Sequence, residues 1–256
     1  MAKHSKRQDT AILEARIAEL SAQLAIARLP CTSQVLPRIG HELRTPLNAI
    51  LGFSQILASN SLPTSDEQKK KFAGHILKAG RHLLVLINQT VDLLKAEAYS
   101  ATLAPVVLAE VLEKCATIIA PLAATRSIKM QFPVEADFHI VSDSTRLEAA
   151  ILILLDNAVK YNVEPGSVTV SCTLDDAHRL RINVEDTGAG LDEVQMAGLF
   201  QPFNRLGQEA GEIEGGGIGL FLCQRLIESL GGELGASSLP GVGSRFTITL
   251  PATATT

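Results

Sequence analysis

Between residues 66 and 98 one seam of side chains recurs at alternating steps of four and three: Phe72, Ile76, Ala79, Leu83, Leu86, Thr90 and Leu93. That spacing keeps the seam on one side of an α-helix and predicts a long helix of coiled-coil character. A second apolar strip, Leu84, Ile87, Val91 and Leu94, runs beside it. A hairpin of two helices buries one stripe but not both, so this helix needs more neighbours than a single hairpin supplies. Two hairpins supply them, and a homodimeric four-helix bundle is the simplest structure that covers both strips. His75 and His82 stand seven apart on the same helix; a metal pair would want three or four, so both read as surface residues.

The helix that precedes it carries Ile39, Leu43, Leu47, Ile50 and Leu57 as its apolar stripe. His41 lies about 200° around the helix from Ile39 and from Leu43, on a face shared with Thr45 and Asn48, and is expected to project into solvent. A histidine held in water beside the Glu42 carboxylate and one turn from the Thr45 hydroxyl has the groups that proton and group transfer need. This helix is expected to end near Asn60. In the following NSLPTSDEQ, Pro63 stops it, and Thr64 with Glu67, or Ser65 with Gln68, offers a capping box for the next helix. Upstream, Leu13, Ile17, Leu20, Leu24 and Ala27 predict a short coiled-coil helix. Pro30 and Pro37 then predict a break or kink near residues 29 to 36, with Pro37 in the first turn of the His41 helix.

After Tyr99 the texture changes. LAPVVL, IKMQF, HIVS, SVTVSCTL, RLRINVED and SRFTITL have the β-branched content of strands, and helical stretches stand around 108–124, 144–161 and 218–230. The expected fold class is α+β: a helical hairpin forming a dimeric four-helix bundle, followed by an α/β sandwich with a mixed sheet backed by helices. The hinge between the parts is placed near residues 98 to 104. A net charge of −4 with a pI near 5.9 provides no basic field for nucleic acid. The longest apolar run, AAILILL at 149–155, is far short of the roughly 20 residues of a membrane span. Cys31, Cys115, Cys172 and Cys223 are scattered and form no C-x-x-C pair, so the reading is of reduced thiols in a cytoplasmic protein, without a zinc site or disulfide framework.

Three segments of the second part carry chemistry. ILLDNAVKYN places Asn157 and Lys160 three apart on one helix face, with Tyr161 close by. NVEDTGAG follows a strand and sets Asp186 ahead of Gly188 and Gly190; EGGGIGL opens a helix with Gly215, Gly216, Gly217 and Gly219. Glycines at a helix start let phosphate oxygens approach the backbone N–H groups and the positive end of the helix dipole. In this order, with a sheet between them, the three segments suit a nucleotide whose base meets an aspartate, whose metal meets an asparagine and whose phosphates meet glycines.

Together these segments resemble the transmitter of a sensor histidine kinase: a dimerisation and phosphotransfer hairpin followed by an ATP-binding domain of the gyrase, chaperone and mismatch-repair type. The likeness covers roughly residues 34 to 251, through HELRTPLN, LLDNAVKYN, DTGAG, LFQPFNRL and GGGIGL in the family's order. It implies an N-terminal signalling coiled-coil helix and linker at 1–33, the phosphotransfer domain at 34–99 and the catalytic ATP-binding domain at 100–256. By the same likeness His41 is the phosphoacceptor, with Glu42 to take its proton. Thr45 stands in an E-x-x-T spacing like the family's phosphatase motif. Asn157 would be the magnesium ligand, Asp186 the partner of the adenine amino group and Tyr161 an adenine-stacking ring. Lys160 and Arg205 would approach the phosphates, with Gly188, Gly190, Gly215, Gly217, Gly219 and Leu220 around the nucleotide and residues 204 to 216 as a lid.

The implied cofactors are ATP and Mg2+. The implied partners are a response-regulator receiver domain, a second copy of the chain and an upstream sensor domain or protein outside it. Two departures from the pattern stand out. Ile153 occupies the place, four residues before Asn157, where most of these kinases carry another asparagine, and Pro37 interrupts what is generally one continuous helix. The alternative to an active kinase is a kinase-weak phosphotransfer, phosphatase or scaffold protein in which Ile153 has weakened the metal site.

Overall fold

The computed structural model describes residues 32–59, 65–98, 100–133, 138–207 and 216–251. The expected coil at 13–27, Pro30, Cys31, Thr64 and Gly215 lie outside the described residues. Two compact units divide between Thr90 and Val91.

The first unit is built on two helices, α1 (Thr32–Ala58) and α2 (Asp66–Ala98), the second of which continues past the division. Helix α1 corrects one expectation. It already includes residues 32–36, and Pro37 sits inside it instead of in its first turn, as does Pro46. Each proline removes one N–H from the ladder, so the carbonyls of Ser33 and Glu42 lose their usual donors four residues on. The stripe faces as its spacing requires: Ile39 is buried, Leu43, Leu47, Ile50 and Leu57 are half-buried, and His41, Thr45 and Asn48 are exposed. Helix α2 starts on the Ser65–Gln68 capping box. The Gln68 N–H donates to Ser65 Oγ at 3.2 Å and the Ser65 N–H to Gln68 Oε1 at 2.9 Å, while Asp66 and Glu67 favour the positive end of the helix. Phe53 of α1 stacks on Phe72 and His75 of α2, with ring centroids 5.5 and 4.9 Å apart. Leu86, Thr90 and Leu93 of the seam are buried, whereas Leu84, Ile87 and Val91 of the second strip are 59%, 43% and 41% exposed.

In the second unit, strands β1 (Ala104–Val107) and β3 (His139–Ser142) pair antiparallel. The main sheet has the order β2-β4-β5-β7-β6, from Ile128–Gln131, Gly166–Leu174, Arg179–Asp186, Gly243–Pro251 and Glu233–Leu239. It is mixed, as expected: β2 runs parallel to β4 and the other pairs are antiparallel. Strand β6 was not expected. Its ELGASSL lacks the β-branched and aromatic residues that mark the other strands, and its pairing with β7 forms it instead. Helices α3 (Leu108–Thr125), α4 (Ser144–Lys160) and α6 (Gly219–Ser229) and a short α5 (Glu193–Ala197) complete the unit. Leu147, Ile151, Leu154 and Leu155 of α4 are fully buried, as are Val168, Leu180, Ile182, Val184 and Ile248 of the sheet. Each such side chain contributes roughly 1.5–3 kcal/mol, so this unit has a core of its own. Cys115, Cys172 and Cys223 are free thiols, and burial pushes Cys115 up to about 12 and Cys172 up to about 11.

Candidate functional site

Asp186 ends β5, where its partner in β4 is Val168. Two backbone donors converge on its Oδ1, the N–H of Gly188 at 2.8 Å and that of Ser244 at 3.2 Å, which fixes the carboxylate. Burial pushes its pKa above the ordinary carboxylate range, and the two N–H donors offset part of that rise. Gly188 admits no side chain: a Cβ there would meet the carbonyl of Tyr161 and stand 2.8 Å from Asp186 Oδ1. Gly190 adopts φ +68° with the Leu239 carbonyl against it, so two independent constraints demand glycine.

The turn between β6 and β7 braces this segment from behind. The Gly241 N–H donates to the Ala189 carbonyl at 2.7 Å, and the Leu191 N–H to Ser238 Oγ at 2.8 Å. On the other side Asn162 donates to the carbonyls of Ala158 and Ser167 through Nδ2, while its Oδ1 accepts from the Val163 N–H and the Thr187 hydroxyl. Asn162 thereby joins the end of α4 to β4 and to the Asp186 turn. Sequence reasoning missed Asn162, Thr187, Ser238 and Ser244. The available signal was short polar side chains set beside glycines, as in DTGAG and GVGS.

Helix α4 buries one face and leaves Ile153, Asp156, Asn157 and Lys160 half-exposed on the other. Tyr161 caps it, 38% exposed, with its N–H on the Asn157 carbonyl at 3.0 Å. Lys160 pairs with Asp156, Nζ to Oδ2 at 2.6 Å. Helix α6 packs antiparallel to α4. Arg146 Nη1 donates to Ser229 Oγ at 2.6 Å near one end, and the Cys223 thiol meets the Ala150 carbonyl at 3.5 Å further along. The N-cap of α6 is Ile218, which provides no side-chain acceptor, so the first N–H groups of α6, Leu220's among them, depend on another acceptor.

Gly217, φ +66°, packs against Phe203 and would set a Cβ 3.2 Å from Arg205 Cγ; the Phe203 N–H donates to the Gly217 carbonyl at 2.8 Å. The candidate residues Asn157, Lys160, Tyr161, Asp186, Gly188, Gly190, Arg205, Gly217, Gly219 and Leu220 belong to one unit; Gly188 brings the ends of α4 and β5 together, and Gly217 at the approach to α6 packs on Phe203 and Arg205. Gly215 and much of the expected lid lie outside the described residues. Among the described residues no group of three or more His, Cys, Asp or Glu could hold a metal; the Asn157 amide oxygen is of the hard, neutral kind that magnesium accepts beside its waters.

His41 stands in the other unit with its side chain 76% exposed. Its Nδ1 is 3.9 Å from Glu42 Oε1, within ion-pair range but longer than a hydrogen bond. The Thr45 hydroxyl donates back to the His41 carbonyl at 3.4 Å, a long bond that leaves it accessible.

This geometry defines a class: a helical unit presenting an exposed histidine, joined to an α/β unit with glycine turns around an anchored carboxylate. Two family models match it. The His Kinase A (phospho-acceptor) domain covers residues 32–99, and the histidine kinase-, DNA gyrase B- and HSP90-like ATPase covers residues 142–254. The sensor histidine kinase GacS of Pseudomonas protegens is 35% identical over 91% of this chain and 26% of its own length; the sensor protein TorS of Escherichia coli is 32% identical over 94% of the chain and 26% of its own. The chain therefore spans about a quarter of those relatives. Among solved structures, full-length ShkA in complex with AMPPNP is 28% identical, with a TM-score of 0.58 over 88% of this chain and 47% of that one. The histidine kinase ThkA in complex with the response regulator TrrA has a TM-score of 0.68 at 20% identity over 93% of this chain and 66% of that one. The chain belongs to the sensor histidine kinases and contains their transmitter region.

Proposed function

We propose that this chain is an ATP-dependent protein-histidine kinase of a two-component system, which phosphorylates His41 and passes the phosphoryl group to a response-regulator aspartate. The observation that carries the reading is the presence in one chain of a solvent-held histidine and a separate glycine cradle around an anchored carboxylate. Residues 34–99 serve as the dimerisation and phosphotransfer domain and 100–256 as the catalytic domain. Bound ATP would supply the γ-phosphoryl group and Mg2+ would screen the charge of the triphosphate.

Asp186 accepts from the adenine amino group through Oδ2, beside the Tyr161 ring. Asn157 would hold the metal, while Lys160, Arg205 and the first N–H groups of α6 would neutralise phosphate charge. An imidazole nitrogen of His41 forms the N–P bond as the β–γ anhydride breaks, and Glu42 takes the ring proton. Thr45, exposed on the same face, orients water in this reading when a phosphorylated receiver docks there.

The exposed strip of Leu84, Ile87 and Val91 supports pairing with a second copy, since each side chain withdrawn from water there gains on the order of 1.5–3 kcal/mol. Response regulators are the partners of this reading, as TrrA is of ThkA. No helix among the described residues is long and apolar enough to cross a membrane, which fits a cytoplasmic transmitter. The kinase-weak phosphatase or scaffold alternative is not favoured, because the matched relatives are sensor kinases.

The test is incubation of the chain with magnesium and γ-labelled ATP. Acid-labile, alkali-stable label on the protein is the expected result, and absence of label under conditions where nucleotide binds would overturn the reading.

A further inference from the structure

Asp156 has no part in the reading so far, yet it sits beside Asn157 and grips Lys160, the cation expected to meet phosphate, at 2.6 Å. Angles around α4 order its half-exposed face as Asn157, Ile153, Lys160, Asp156, at about 0°, −40°, −60° and −100° from Asn157. Lys160 therefore lies between the metal-side asparagine and the carboxylate, and it can turn to either. Neither member of the pair is buried: their side chains are 31% and 39% exposed, so the pair is weak enough to be exchanged. The N-cap of α6, Ile218, supplies no side-chain acceptor for the first N–H groups of that helix.

We propose that Asp156 is a positioning residue that acts as an internal counter-ion for Lys160, competing with a nucleotide's phosphates and biasing the site toward the magnesium-complexed nucleotide. The proposal rests on the nucleotide reading of this site. A free triphosphate carries more negative charge than its magnesium complex, so it suffers more from the Asp156 carboxylate and gains more from an unclaimed Lys160. A carboxylate in this place therefore costs the metal-free ligand more than the metal-bound one. No proton or covalent step is involved; one ion pair is exchanged for another.

The experiment is calorimetric titration of the full 256-residue chain with ATP, in chelator and in excess magnesium, for the wild type, Asp156→Asn and Asp156→Glu. Asp156→Asn is expected to tighten metal-free ATP about threefold and to change magnesium–ATP affinity much less, as suits one partly screened charge. Asp156→Glu, which restores the charge, is expected to return the wild-type ratio. A structural role alone would shift both ligands together. Equal changes for the two ligands, weaker metal-free binding by Asp156→Asn, or failure of the Glu rescue would each overturn the proposal while the site assignment stands. A wild-type chain that binds ATP in neither condition would overturn the nucleotide reading itself, and this inference with it.

Discussion

In the helical unit the proposed phosphoacceptor, His41, is one side chain on the outer face of a helix, 76% exposed and held by no short hydrogen bond. In the α/β unit the site consists mostly of backbone: two N–H groups fix Asp186, Gly190 passes under the Leu239 carbonyl, and Asn162 ties three segments together through four hydrogen bonds. The first arrangement separates chemistry from stability, because the stripe that folds α1 faces away from His41. The second merges them, because the contacts that shape the cradle also close the fold. Substitutions should therefore act differently in the two places.

The sharpest break of the comparison is His41→Gln. Label transfer from γ-labelled ATP is expected to disappear while nucleotide affinity and melting temperature stay at wild-type values. Residual acid-labile label on the variant would remove His41 from its role, and a fall in melting temperature would show that the helical site is not separable from its fold.

Asp186→Asn should lower nucleotide affinity by about 1–3 kcal/mol, since the amide puts a donor where the adenine amino group needs an acceptor. Its effect on stability has the opposite sign. Burial raises the carboxyl pKa, so the folded state holds that proton more firmly than the unfolded chain and loses stability as pH rises through the raised value. Asparagine removes this penalty, and its amide oxygen can keep both backbone bonds. Thermal unfolding without nucleotide is therefore expected at an equal or higher temperature than wild type at pH 7, with any gap closing in acid where both groups are neutral. A variant less stable at pH 7 than at acid pH, relative to wild type, would contradict this account.

The same contrast explains what could be read in the sequence. The stripe of α1, the Ser65–Gln68 cap and the exposure of His41 follow from local spacing, because a helix presents its residues at a fixed angle. The strands rich in branched residues were legible for a similar reason. β6 was not: Glu233–Leu239 is a strand because β7 pairs with it, a long-range fact that propensity does not carry. Asn162 and Ser238 were missed likewise, since each becomes important only when the fold brings distant backbone within reach. Pro37 misled in the other direction. A proline five residues into α1 is compatible with the helix at the loss of one hydrogen bond, whereas propensity alone argued for the helix start.

Gly190→Ala probes the merged character of the second site through its backbone. At φ +68° with the Leu239 carbonyl in the way, the added methyl should cost on the order of 1–3 kcal/mol of stability, and the strain should reach the ligand through the Asp186 turn. A lower melting temperature together with weaker nucleotide binding is expected. Loss of one without the other would show that cradle and core are less coupled than the hydrogen bonds indicate.

The smallest expected effect belongs to Ile153→Asn, where the chain departs from its family beside Asn157. Ile153 is half-exposed, so it borders the solvent-facing strip of α4 and is not locked in the core with Leu154 and Leu155. An asparagine there can keep one side of its amide in water, and the destabilisation should stay below about 1 kcal/mol, less than for a fully buried polar group. Its position, one turn from Asn157 on the same strip of α4, lets the new amide anchor a metal-bound water, since magnesium keeps several of them. The expected result is a labelling rate that reaches half its maximum at lower magnesium, with melting temperature nearly unchanged. The contrast with Asp186→Asn is the point of the measurement: at Asp186 the backbone fixes the side chain, whereas at Ile153 a surface position on a regular helix can gain a function without disturbing the fold. A destabilised variant with no shift in magnesium dependence would place Ile153 among the packing residues and away from the metal.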